Sequence, residues 1–199
     1  MQKNGSVQYI RGPVPLVHTL LRQFLCNGDL TVDATCGNAR DTIVMAALVG
    51  DNGHVWGFDI QQAAIDRARE RVAEAGMQTR VTLLNASHHL MEEHVGSQVR
   101  AIVFNLGWLP GGDKVIITKL STTMPALLAS LRLLAAGGIL AITCYPGHDG
   151  GDSETEVLVN WASSLSAKDY HVWRMGQLNV SPSAPFCLVI QKSGTADAA

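Results

Sequence analysis

Several residues in the first third of the chain have the types and spacing needed to hold a small charged ligand. Asp33 ends a short apolar run, Leu30-Thr-Val-Asp33, and opens the turn Ala34-Thr-Cys-Gly-Asn-Ala-Arg-Asp-Thr42. Gly37 has no Cβ, so a ligand can approach its backbone closely. The amides that open the helix after the turn have no partner within that helix. A second run, His54-Val-Trp-Gly-Phe-Asp59, ends in another acid and is followed by Ile60 and Gln61. Asp59 can accept hydrogen bonds from both hydroxyls of a ribose. It follows the glycine turn by roughly 20 residues, the spacing a nucleotide-type cofactor needs.

The turn discriminates between cofactors. A dinucleotide site wants three glycines spaced G-x-G-x-x-G, because pyrophosphate lies against bare backbone at a helix N-terminus. Ala39 and Thr42 stand at the second and third glycine positions. Asp33 and Asp41 would repel a pyrophosphate but suit S-adenosylmethionine (SAM), whose sulfonium and ammonium outweigh its carboxylate. Arg40 is a cation that could serve a phosphate. The plainer alternative is an acid capping a helix start, with Gly37 an ordinary turn residue. The candidate cofactor contacts at these strand ends are Asp33, Thr35, Gly37, Arg40, Asp41, Asp59, Ile60 and Asn105.

Two more loops are dense in chemistry. Val99-Arg-Ala-Ile-Val-Phe-Asn105 runs into Leu106-Gly-Trp-Leu-Pro-Gly-Gly-Asp113. Ile139-Leu-Ala-Ile-Thr-Cys144 runs into Tyr145-Pro-Gly-His-Asp-Gly-Gly-Asp152. Loops at the carboxyl ends of strands carry the chemistry of open α/β sheets. Many methyltransferases that act on exocyclic amines place Asn-Pro-Pro-Tyr after this strand. There the amide carbonyl accepts a hydrogen bond from the target amine and the ring stacks on the base; Asn105 and Trp108 could do similar work.

The elements that must position these residues follow from periodicity. Helices are expected at Pro15–Leu25, through Ile43–Val49, at Gln61–Ala75, Thr118–Ala136 and Ser153–Ser166, and strands at Leu30–Asp33, His54–Ile60, Arg80–Ala86, Val99–Asn105 and Ile139–Cys144. Tyr170–Leu178 and Phe186–Lys192 read as a closing antiparallel pair. Arg67, Glu70, Arg71 and Glu74 are spaced for ion pairs along a solvated helix face. His18 reads as structural and His89 as a surface loop residue. The alternation predicts an α/β fold: a mostly parallel sheet with an antiparallel edge strand and helices on both faces.

Composition narrows the classes. A chain of 199 residues, 47% hydrophobic, fits one globular domain over 1–199, with loose ends at 1–6 and 193–199. A net charge of −2 argues against bulk coating of nucleic acid but leaves room for a local contact. The four cysteines, Cys26, Cys36, Cys144 and Cys187, form no CxxC pair. A disulfide or zinc framework is not expected, and a reducing cytoplasm is the default. No metal and no membrane contact are expected: no run spans a bilayer, and the N-terminus lacks a signal peptide's apolar core.

The three loops together, Asp33–Thr42, Asn105–Lys114 and Tyr145–Asp152, resemble those of the MnmM (YtqB-like) tRNA methyltransferases, class I SAM-dependent enzymes formerly described as rRNA methylases. The resemblance runs from about Pro15 to Lys192. It implies a seven-stranded Rossmann-like fold. It implies N-methylation of the wobble 5-aminomethyl-2-thiouridine to 5-methylaminomethyl-2-thiouridine, with the anticodon stem-loop of tRNA as partner. Carried over by motif, Asn38, Asp59, Gln61, Ser87 and His88 contact SAM and Gly37 lines its methionine end. Asn105, Gly107, Trp108 and Asp113 form the target pocket, with Lys114 and Tyr145 beside it, and His148 and Asp152 complete it. The chain departs from the family twice: Ala39 stands where Gly is usual in Gly-Asn-Gly, and Pro146 replaces the first histidine of His-Gly-His.

Methyl transfer is an in-line displacement that depends mainly on positioning. A primary amine is largely protonated at neutral pH, so a group must hold or accept its proton; Asp113, Asp152 and His148 are candidates, with Asn105 as the orienting acceptor. RNA contact would use Lys114, Lys119, Arg11 and Arg174. The apolar terminal strands suggest a homodimer edge. The rival functions are a SAM methyltransferase acting on rRNA or a small amine, and a non-catalytic nucleotide- or RNA-binding module; a nicotinamide oxidoreductase is opposed by Ala39 and Thr42.

Overall fold

The computed structural model describes residues 10–106, 119–147 and 151–194, and for 151 and 152 the backbone only. In chain order the elements are α1 (Pro13–Phe24), β1 (Leu30–Asp33), α2 (Arg40–Val49), β2 (His54–Asp59), α3 (Gln62–Glu74), β3 (Val81–Asn85), α4 (Met91–His94), β4 (Val99–Asn105), α5 (Leu120–Leu133), β5 (Leu134–Cys144), α6 (Gly151–Ser163), β6 (Tyr170–Gly176) and β7 (Phe186–Lys192). The strands form one seven-stranded sheet in the order β3-β2-β1-β4-β5-β7-β6. The β1–β5 pairings are parallel; β7 runs antiparallel to both β5 and β6. The reversed strand is therefore β7, one place in from the edge strand β6.

Alternation along the strands explains the layers. Val32, Phe104, Ile142 and Leu188 face one side and pack with Leu127 of α5 and Leu158 of α6. Ala101, Val103, Ala141 and Val189 face the other and pack with Leu21 of α1 and Met45 of α2. Ile65, Ala68 and Val72 of α3 close a third cluster with Cys36 and Ala39. Burying a side chain such as Phe104, fully enclosed here, stabilises by about 1.5–3 kcal/mol.

The same alternation positions the site. Asp33, Asp59 and Asn105 end β1, β2 and β4. Each shares its strand's parity with residues that face the α1–α3 side, such as Val55 and Val103. At the carboxyl rim Asp33 and Asn105 therefore meet the first turn of α2, and Asp59 the turn before it.

The largest shift from the expected boundaries falls where α5 meets β5. Helix α5 ends at Leu133, and β5 starts at Leu134 instead of Ile139. The stretch Leu134-Ala-Ala-Gly-Gly reads locally as a helix end. Leu134 pairs with Val99 and Ile139 with Ala101, so the residues between them bulge out of the ladder. Gly137 takes φ +72°, and a Cβ on Gly138 would lie 2.9 Å from the Ala135 carbonyl oxygen. The short α4 was not anticipated, since four residues carry no periodic signal. At the other end, Ser193 donates its amide to the Asp169 carbonyl at 2.8 Å, so the chain is still tied there.

Candidate active site

The turn after β1 has an unusual backbone. Gly37 takes φ +47° and Ala39 φ +59°, the latter being the one non-glycine residue of positive φ among those described. Holding an alanine there costs about 1–2 kcal/mol. Ala39 nevertheless caps α2, with its carbonyl accepting from Ile43 at 3.0 Å. It is enclosed by the α3 cluster. Arg67 Nε donates to Asn38 Oδ1 at 3.1 Å, and Arg71 donates to the Asn38 carbonyl at 3.0 Å. These arginines clasp the turn, where the sequence suggested ion pairs with Glu70 and Glu74.

Asp59 closes the turn from β2. Its Oδ2 accepts from the Gly37 amide at 3.0 Å and its Oδ1 from the Gln61 amide at 2.9 Å. Each carboxylate oxygen keeps further acceptor capacity. Burial raises its pKa, against those two amides and Arg67, which lower it. Ile60 beside it is 56% exposed, an apolar surface on the rim of the kind a ring could cover. Arg40 is exposed at the start of α2.

Asp33 lies deeper. It accepts from the Thr42 hydroxyl at 2.6 Å and the Thr35 amide at 3.3 Å. Burial, with the nearby Asp41 and Asp59 carboxylates adding to it, raises its pKa to about 7, against the Thr42 and Thr35 hydrogen bonds. Asp33 braces the turn from beneath and is 1% exposed. His88 is also enclosed, at 7% exposure. It faces the Ala34 carbonyl through Nδ1 at 3.2 Å and packs edge-on against Phe104. Its Nε2 is buried without a partner among the described residues. Burial lowers its pKa to about 4, so it is neutral at physiological pH. Ser87 and the exposed His89 bond each other at 2.7 Å.

The β4 end is organised by side chains. The Asn105 amide donates to Thr35 Oγ1 at 2.7 Å. Its Nδ2 donates to Asp41, whose other carboxylate oxygen pairs with His18 Nε2. Its Oδ1 is buried with no partner among the described residues. Half-buried Tyr145 stands close enough that Asp41, after burial itself, raises its pKa. The sequence marked Asp41 as a cofactor contact and His18 as structural; the structure joins both to Asn105.

Gly107, Trp108, Asp113, Lys114 and His148 lie outside the described residues, as does the Asp152 side chain. Lys119 and Arg11 are exposed, and Arg174 sits 4.1 Å from the Phe186 ring centroid. Among the described residues no cluster of His, Cys, Asp or Glu could hold a metal ion. No described helix is long and apolar enough to cross a membrane. Cys36, Cys144 and Cys187 are buried free thiols. Burial pushes the pKa of Cys144 and Cys187 up to about 12, so neither is a ready nucleophile.

These features fit SAM. A rim carboxylate on bared backbone suits its ribose and an exposed isoleucine its adenine. The turn lacks the three-glycine pattern that a pyrophosphate wants.

Known proteins agree. Residues 55–191 match the family model described as "Putative rRNA methylase". A chloroplastic tRNA (mnm(5)s(2)U34)-methyltransferase from Arabidopsis thaliana is 38% identical over 187 residues, covering 89% of this chain and 68% of its own. A crystal structure titled as an rRNA methylase from Clostridium thermocellum superposes with a TM-score of 0.89 at 37% identity, over 93% of this chain and 100% of that one. A Streptococcus mutans methyltransferase in complex with S-adenosylhomocysteine (SAH) superposes with a TM-score of 0.83 at 32% identity, over 92% and 99%.

Proposed function

We propose a target for this enzyme from a plain premise: the chain belongs to the rRNA methylase family and is a SAM-dependent methyltransferase. The target is the wobble 2-thiouridine of tRNA, whose 5-aminomethyl group receives the methyl on nitrogen. The similarity to the tRNA (mnm(5)s(2)U34)-methyltransferase over 89% of the chain supports this target. The single observation that carries the chemistry is the buried Asn105 Oδ1 at the end of β4, which has no partner among the described residues. A buried carbonyl without a donor is costly, and a target amine N–H supplies the missing donor.

Bound SAM supplies an electrophilic methyl on a sulfonium. Asp59 would hold the ribose hydroxyls, Ile60 would lie against the adenine, and the Gly37–Asn38 turn would hold the methionine end. Asn105 accepts one N–H of the target amine and so directs its lone pair. By the family resemblance, Trp108 would stack on the uracil, with Gly107, Lys114 and Tyr145 as the other target contacts. The ammonium proton passes to Asp113, Asp152 or His148 before attack. The anticodon stem-loop lies across the rim, against Lys119, Arg11 and Arg174.

The test is incubation with SAM and tRNA from a strain lacking the final wobble methylation, followed by nucleoside mass spectrometry. The expected product is 5-methylaminomethyl-2-thiouridine. No product, with SAM binding intact, overturns the tRNA target. A ribosomal RNA target is the second reading, favoured by the family's description.

A further inference from the structure

Asn105 is gripped by groups from two helices. Asp41 stands on the first turn of α2 and His18 midway along α1. The Asn105 Nδ2 donates to one Asp41 oxygen, and His18 Nε2 bonds the other. The His18 and Asp41 side chains are 18% and 8% exposed, so water competes weakly with the pair.

Elementary chemistry then sets which way the amide faces. An ionised carboxylate only accepts hydrogen bonds. The Asn105 amide must turn its NH2 to Asp41, and its carbonyl oxygen is left as the free acceptor. A flipped amide would set two oxygens against each other. With one oxygen engaged by His18, the Asp41 carboxylate cannot rotate away without breaking that bond. The Thr35 hydroxyl fixes the Asn105 backbone from the other side.

We propose that His18 and Asp41 are positioning residues for methyl transfer, holding the Asn105 amide with its carbonyl free to accept the target amine N–H. The proposal rests on the role given to Asn105 above. It moves Asp41 from the cofactor to the target, and it makes α1 part of the machinery that orients the amine.

The direct test is the side-chain amide resonance of Asn105, identified by its loss in Asn105→Ala. It should be protected from exchange in the wild type and lose protection in both His18→Leu and Asp41→Ala. The functional test is a double-mutant cycle on tRNA. His18→Leu should lower kcat roughly tenfold while SAM affinity stays within about twofold. His18→Gln, which keeps an N–H donor, should recover most of the rate. In an Asn105→Ala background His18→Leu should cost nothing further, because it acts through Asn105.

The proposal is overturned by an Asn105 amide that is indifferent to His18, by equal losses in both backgrounds, or by a SAM affinity that falls as far as kcat. Should the wild type methylate no tRNA, the target assignment fails. The amide resonance still decides whether His18 and Asp41 hold Asn105.

Discussion

The two halves of the carboxyl rim are built from different materials. Over β1, β2 and β3 the contacts are mostly with backbone: Gly37 and Gln61 amides on Asp59, a left-handed Ala39, and two arginines on Asn38. Over β4 and β5 they run between side chains: Asn105 to Asp41, Asp41 to His18, with Tyr145 alongside. A backbone cradle is hard to alter by substitution and suits a ligand that never changes. A side-chain network is easily retuned and suits a target that differs between related enzymes. On this difference we propose that the first half holds SAM and the second the methyl acceptor.

That division can be broken by substitutions with separable effects. The largest belongs to the acceptor half: Asn105→Ala should cut methyl transfer on the order of 100-fold at saturating SAM, because the amine loses its alignment. Single-turnover methylation of tRNA measures this. Asp59→Ala should instead weaken SAM binding by about 1.5–3 kcal/mol, the worth of hydrogen bonds to a charged group. A calorimetric affinity equal to the wild type would remove Asp59 from the cofactor site.

Smaller effects sharpen the picture of the cofactor half. Asp33 has a folded pKa raised to about 7 from an ordinary value of 3.8. The native state therefore holds the proton more tightly than the unfolded chain. That contribution is complete below about pH 4 and is lost as pH rises through about 7. Asp33→Asn lacks it, so its melting temperature relative to the wild type should rise between about pH 5 and pH 8. A pH-independent difference would contradict the buried, protonated acid.

The smallest effect is Ala39→Gly. Relief of the left-handed strain, about 1–2 kcal/mol, is offset by loss of a buried methyl worth about 0.8 kcal/mol and by the entropy of a freer unfolded chain. The net should lie within about 1 kcal/mol, or about 2–4 °C in melting temperature. A much larger loss would mean that the methyl's packing against α3 dominates.

Much of this arrangement was legible in the residue pattern, for identifiable reasons. β4 and β7 begin and end where the apolar runs begin and end, because each is buried on both faces and bounded by polar loops. The pairing of Asp59 with the Gly37 turn was legible because an acid and a bare turn stand at a set separation. His18 was not, because its partner Asp41 lies 23 residues away on another helix and no spacing rule links them. Arg67 and Arg71 were misleading, since local spacing offers Glu70 and Glu74 while the folded chain offers Asn38. The start of β5 was masked by a stretch that imitates a helix end and becomes strand through pairing with Val99. A local pattern shows what a segment prefers; it cannot show which distant group a long side chain reaches.

The division of the rim is tested most directly by titrating SAH calorimetrically into Asn105→Ala, with Asp59→Ala alongside. The account predicts that Asn105→Ala binds SAH within about threefold of the wild type, the effect of a side chain aimed at the acceptor, while Asp59→Ala binds far more weakly. Loss of SAH binding in Asn105→Ala to the level of Asp59→Ala would contradict it and merge the two halves into a single cofactor site.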